Sequence, residues 1–147
     1  MSGETKEPDF YDQVADLAER MVEASLSGRV TDHWRAHAEL RQLCENHQGG
    51  PLDHPFQWET LGDFTTNDHQ ALQTYQTAAR LAKDLQLQEY LASINFAQAE
   101  RWQALGESNK AWELARLAME QASVTTDQAL KLEISQWLLA EATPKDL

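Results

Sequence analysis

The 147-residue chain has one cysteine, Cys44, so no internal disulfide can form, as expected of a protein kept in a reducing compartment. Cations are also scarce: 12 Lys and Arg stand against 24 Asp and Glu, a formal net charge of -12. A surface of that sign repels phosphate backbones and anionic lipid, which argues against nucleic-acid and membrane partners. It suits a basic protein partner, although acidic surfaces also serve plain solubility. No stretch approaches the ~18 apolar residues of a membrane span, and Met1 to Pro8 show no apolar run behind a basic start. A soluble, cytoplasmic protein without a leader is the expectation. Hairpin turns and alternating β-branched runs are missing too, which excludes a sheet protein.

Chemical motifs are equally sparse. There is no glycine-rich phosphate loop, no nucleophile elbow and no EF-hand spacing among Glu100, Glu107, Glu113 and Glu120. The neighbours Asp53 and His54, and Asp68 and His69, point different ways along a helix and cannot converge as acid–base pairs. No catalytic residue and no cofactor is expected, so the chain reads as a non-enzyme. One metal-binding alternative stands on His33, His37 and Cys44, which lie near one helix face with His47 a turn further on. A single helix cannot wrap a tetrahedral ion, and the HxxxH lacks the zinc-protease Glu because Trp34 follows His33, so no metal site is assigned.

What is present is enough apolar residue for a core: 41% of the chain, with five Trp. A loose tail over residues 1–8 and a single domain over 9–147 are expected. Asp9 begins the first helix, whose face is Phe10, Val14, Leu17, Ala18, Met21, Val22 and Ser25, and Ser27-Gly28 ends it. Thr31 caps the second, which runs to Gly49-Gly50-Pro51. Asp53 starts a short third helix with Pro55 in its first turn. Thr65 to Asp68 form a turn and cap before the fourth helix, which reaches Leu85. The boundary between Leu85 and Tyr90 has neither Gly nor Pro. Two further helices meet at Leu105-Gly106, with Ser108 capping the sixth. Thr125 to Asp127 start a seventh, ended by Thr143-Pro144. Seven helices joined by short turns make an all-α protein.

The fourth and sixth helices repeat at an offset of 40 residues: Ala71, Tyr75, Ala78 and Ala82 meet Ala111, Ala115, Ala118 and Ala122. Trp58, Leu61 and Gly62 in the third helix, and Ala99, Trp102, Leu105 and Gly106 in the fifth, supply small and aromatic positions of a partner helix. This pattern resembles the tetratricopeptide (TPR) repeat, a helix-turn-helix unit that stacks into arrays. The likeness is good over 90–122, fair over 56–85 and weak before that. Gln98 stands where an apolar residue is usual, and Gly62 to Ala71 is about three residues shorter than the standard spacing. The resemblance implies a superhelical array of antiparallel hairpins, with the seventh helix as its cap.

It also implies a concave protein-binding surface lined by the first helix of each pair. Carried onto this chain, that surface falls on Phe56, Glu59 and Asp63 in the third helix and Ser93, Phe96, Glu100 and Gln103 in the fifth. An acidic groove edged by Phe suits a Lys/Arg-rich segment. A small acidic protein of this kind resembles TPR-like immunity proteins that neutralise a basic toxin. A chaperone or adaptor for a secreted substrate, and a homodimer burying surface Trp residues, are the other readings.

Overall fold

The computed structural model describes residues 8–142, and these form seven α-helices: α1 (Tyr11–Leu26), α2 (Val30–His47), α3 (Pro55–Asp63), α4 (Asp68–Asp84), α5 (Gln88–Ala104), α6 (Ser108–Ala122) and α7 (Gln128–Ala142). The expected tail, apart from Pro8, lies outside the described residues, as does the Thr143-Pro144 stop. Pro8 itself is buried, and its carbonyl accepts the Tyr11 amide at 3.0 Å. No strand occurs among the described residues. Consecutive helices pack as pairs, α1 on α2, α3 on α4 and α5 on α6, with α7 against α6. The first helices also touch one another, α3 meeting both α1 and α5, so they share one face of the array.

Several caps differ from the sequence expectation. Phe10, not Asp9, is the N-cap of α1, and Arg29 and Glu107 precede α2 and α6 where Thr31 and Ser108 were expected. None of these three N-cap residues makes a side-chain cap bond. At α3 the His54 ring accepts the Phe56 amide at 3.0 Å, while Asp53 turns away to hold the Gly49 amide (2.9 Å) and the Trp58 indole (2.7 Å). Asn67 caps α4 and Asp127 caps α7, as their positions predict.

Three turns share one geometry. Arg29 N bonds Ala24 O, Leu87 N bonds Ala82 O and Glu107 N bonds Trp102 O, each at 2.8–2.9 Å and each five residues back. This six-to-one bond closes a helix only if the residue before the donor is left-handed. Gly28 (φ 71°) and Gly106 (φ 81°) meet that demand without cost, and Gln86 (φ 58°) meets it despite its side chain. The turn after Leu85 therefore has the same form as the glycine turns, without the residue that would have announced it.

Two apolar clusters make the core. The larger gathers Val14, Leu17 and Met21 of α1, Leu40 and Cys44 of α2, Trp58 and Leu61 of α3, Tyr75 of α4 and Ile94 of α5. The smaller joins Ala92, Phe96 and Ala99 of α5 to Ala115, Ala118 and Ala122 of α6 and to Leu130 and Ile134 of α7. Every position of the 40-residue match is buried, with no residue more than 2% exposed. On α1 the buried stripe takes Ala24 and leaves Val22 about half exposed. Gly62 lies where the α3 backbone meets the Tyr75 ring: a methyl there would stand 2.7 Å from the ring edge. The two amide side chains on α5 form a chain that ends on α6, Gln98 Nε2 donating to Asn95 Oδ1 and Asn95 Nδ2 to Gln121 Oε1, both at 2.9 Å. That network explains how Gln98 occupies an apolar position.

Candidate functional site

The face shared by the first helices opens into a hollow of about 490 Å³ between α1, α3 and α5, reaching the start of α7. Phe56, Glu59 and Asp63 reach it from α3 because the spacings i+3 and i+4 keep side chains on one helical face. Tyr90 and Ser93 reach it from α5 by the same rule. Pro8 and Tyr11 close one side, and Glu89 and Asp127 the other. The aromatic residues are in mutual contact: Tyr11 stacks on Phe56 at 5.0 Å, Phe56 meets Tyr90 edge-on at 6.4 Å, and His54 meets Tyr90 at 5.1 Å.

Of the seven residues expected on this surface, four line the hollow: Phe56, Glu59, Asp63 and Ser93. The other three lie further along α5, beside α7. Phe96 is a correction: it is 4% exposed and packs edge-on against Trp137 at 6.1 Å, so it belongs to the core and not to a groove edge. Gln103 donates to Glu141 at 2.9 Å, tying α5 to α7. Glu100 is exposed and feels the charges of Asp63 and Glu133, which extends the acidic strip from α3 across α5 to α7.

The carboxylates here are shifted from ordinary behaviour. Burial is the largest influence on Glu59 and, with the nearby charge of Asp63, pushes its carboxyl up to about 7 against the pull of the Ser93 hydroxyl, which donates to Glu59 Oε2 at 2.5 Å. Asp63 is raised by desolvation of its carboxyl, although the residue as a whole is exposed; the Tyr75 hydroxyl, donating to Oδ1 at 2.6 Å, and Arg101 oppose the shift. Glu100, although exposed as a residue, is raised by partial desolvation of its carboxyl, then by Glu133 and Asp63, with Arg101 opposing. Arg101 acts on Asp63 from outside the hollow and does not line it: its guanidinium bonds to Asp68 and the Gly62 carbonyl, both at 3.1 Å.

The histidine and cysteine candidates do not assemble. Among the described residues no three His, Cys, Asp or Glu side chains gather around a point where an ion would fit. Cys44 is buried, donates to the Gln57 carbonyl at 3.4 Å, and has its thiol pushed up to about 12 by burial. The His37 ring faces Thr65 at 3.2 Å. Because the Thr65 hydroxyl donates to Leu61 O at 2.7 Å, His37 Nε2 supplies the proton of their bond.

Sequence reasoning missed Tyr11, Tyr90, Glu89, Asp127 and Glu133. Tyr90 was findable, since it precedes Ser93 by three on the same helix. Tyr11 was not, because the first hairpin carries no repeat signature from which to read its facing positions.

No family model matches the chain, and no curated protein matches it. Among solved structures it is similar to the type III secretion translocator chaperone SycD of Yersinia enterocolitica, with 22% identity and a TM-score of 0.62. The match covers 88% of this chain and 90% of that one. At this identity the likeness establishes the fold, an all-α helical array.

Proposed function

We propose that this chain is a non-enzymatic binding module of the chaperone or adaptor type, which holds an extended segment of another protein along its first-helix face. The observation that carries the reading is the open hollow of about 490 Å³ on that face, aromatic at one end and acidic along its length. A trough built from rigid helices fits a chain without structure of its own, whose ordering cost must be met by contacts along its length. The fold similarity to a secretion chaperone over most of both chains supports the same reading. No described helix is long and apolar enough to cross a membrane, in keeping with a module that acts in the cytoplasm.

The toxin-neutralising alternative draws on the repeat resemblance together with the net charge of -12, and that charge serves a basic partner of either kind. The two readings differ in the state of the partner. A chaperone or adaptor holds a segment that is unfolded when free, whereas an immunity protein blocks a folded catalytic domain. Affinity capture from the native host, followed by hydrogen exchange on the captured complex, separates them. Protection confined to one short partner segment is expected; protection spread over a folded domain would replace this reading with the immunity one. Ser93→Trp fills the hollow from α5 and should abolish capture while leaving the helical circular dichroism spectrum unchanged.

A further inference from the structure

We propose that the hollow selects an arginine side chain of the bound segment, its guanidinium lying against the Tyr11, Phe56 and Tyr90 rings and bridging Glu59 and Asp63. The proposal rests on the reading of this face as a segment-binding surface and names the anchor that the face is built to take.

Three features of the hollow converge on this chemistry. First, the rings form a continuous wall, with Tyr11 40% exposed at its mouth and stacked on Phe56. The faces of such rings attract cations, and a planar guanidinium also stacks on them. Second, Glu59 and Asp63 stand one helical turn apart on the same face of α3, and each has one oxygen in use. Ser93 donates to Oε2 of Glu59 and Tyr75 to Oδ1 of Asp63, and neither carboxylate has a buried, unsatisfied oxygen. Oε1 of Glu59 and Oδ2 of Asp63 are thus open to a ligand, and a fork of N–H donors can reach two separate acceptors as a point charge cannot. Third, the site lacks a cation of its own. Glu89 and Asp127 add two more carboxylates to the rim, and no Lys or Arg lines the hollow among the described residues. A partly desolvated carboxylate such as Glu59, without a counter-charge, gains from a cation brought by the partner. A segment carrying only apolar anchors would cover the rings and leave these carboxylates buried and unpaired, which is costly.

The probe is Nα-acetyl-arginine amide, titrated into the full chain and followed by amide chemical shifts, with the isosteric uncharged citrulline amide as control. Saturable shifts around Tyr11, Phe56, Glu59 and Tyr90 are expected with arginine and none with citrulline. Glu59→Gln, which keeps an acceptor for Ser93, should weaken the arginine effect about tenfold, and Tyr90→Leu should weaken it at unchanged charge. Equal shifts with citrulline, shifts centred elsewhere, or an unchanged arginine response in Glu59→Gln would overturn the proposal. The same titration with extended peptides separates it from the broader reading. Peptides that bind the hollow equally well with arginine or citrulline sink the arginine anchor alone. If the arginine amide binds and no extended segment does, the segment-binding reading fails instead.

Discussion

At the scale of single residues, three positions show how local physics sets this molecule. Gly62 is required by contact and not by backbone angle, because the Tyr75 ring occupies the space that any Cβ would need. Gly62→Ala should therefore cost about 1–3 kcal/mol, read as a lowered midpoint in urea. Gln86 is the reverse case, a side chain held at φ 58° where two sister turns use glycine. Gln86→Gly should stabilise by about 0.5–1 kcal/mol, and a loss of stability would show that the Gln side chain carries something the turn geometry does not. Glu59 is raised from 4.5 to about 7, so the folded chain keeps a proton between those pH values that the unfolded chain has released. Stability must then fall as pH rises through that window. Glu59→Gln should leave stability at pH 4 nearly unchanged and raise it at pH 8 by on the order of 3 kcal/mol. Asp63 and Glu100 are raised in the same direction, so part of the slope should remain.

At the scale of elements, the repeat was readable where small residues mark helix crossings. The match of Ala71, Tyr75, Ala78 and Ala82 to four alanines of α6 placed both second helices on the core, and all eight are buried. The helix starts were less legible. Thr31 and Ser108 have capping chemistry but lie inside their helices, because the preceding turns close through backbone bonds that need no side-chain cap. Phe96 shows another limit: a position that faces a groove in one pair is covered when the next first helix packs over it, as α7 does through Trp137. The smaller core joins α5, α6 and α7 mainly through alanines, so each large residue in it carries much of the burial. Ile134→Ala should cost about 2–4 kcal/mol. Amide exchange should accelerate in α6 and α7 while α1 and α2 keep their protection.

At the scale of the whole molecule, the helix pairs bring carboxylates of α3, α5 and the α7 cap to an acidic trough, and charge that is dispersed in the sequence becomes local there. Glu59 and Asp63 could be placed in it, and Glu100 further along α5, from a repeat resemblance, since each lies on a first helix with a readable register. The ring wall could not, because Tyr11 comes from the hairpin without a signature and meets Phe56 only through tertiary packing. A partner drawn to a net charge of -12 should associate faster at low salt, with the dissociation rate set by contacts within the trough.

The most direct test of segment binding is site-specific photocrosslinking from position 89, with a benzophenone side chain in place of Glu89 on the exposed rim of the hollow and, as the control, in place of Trp112 on the surface of α6. A single adduct is expected from position 89 and none from position 112, with the partner's crosslinked residue mapping to a segment that is unstructured when free. Adducts from both positions to a folded domain, or from position 112 alone, would contradict it.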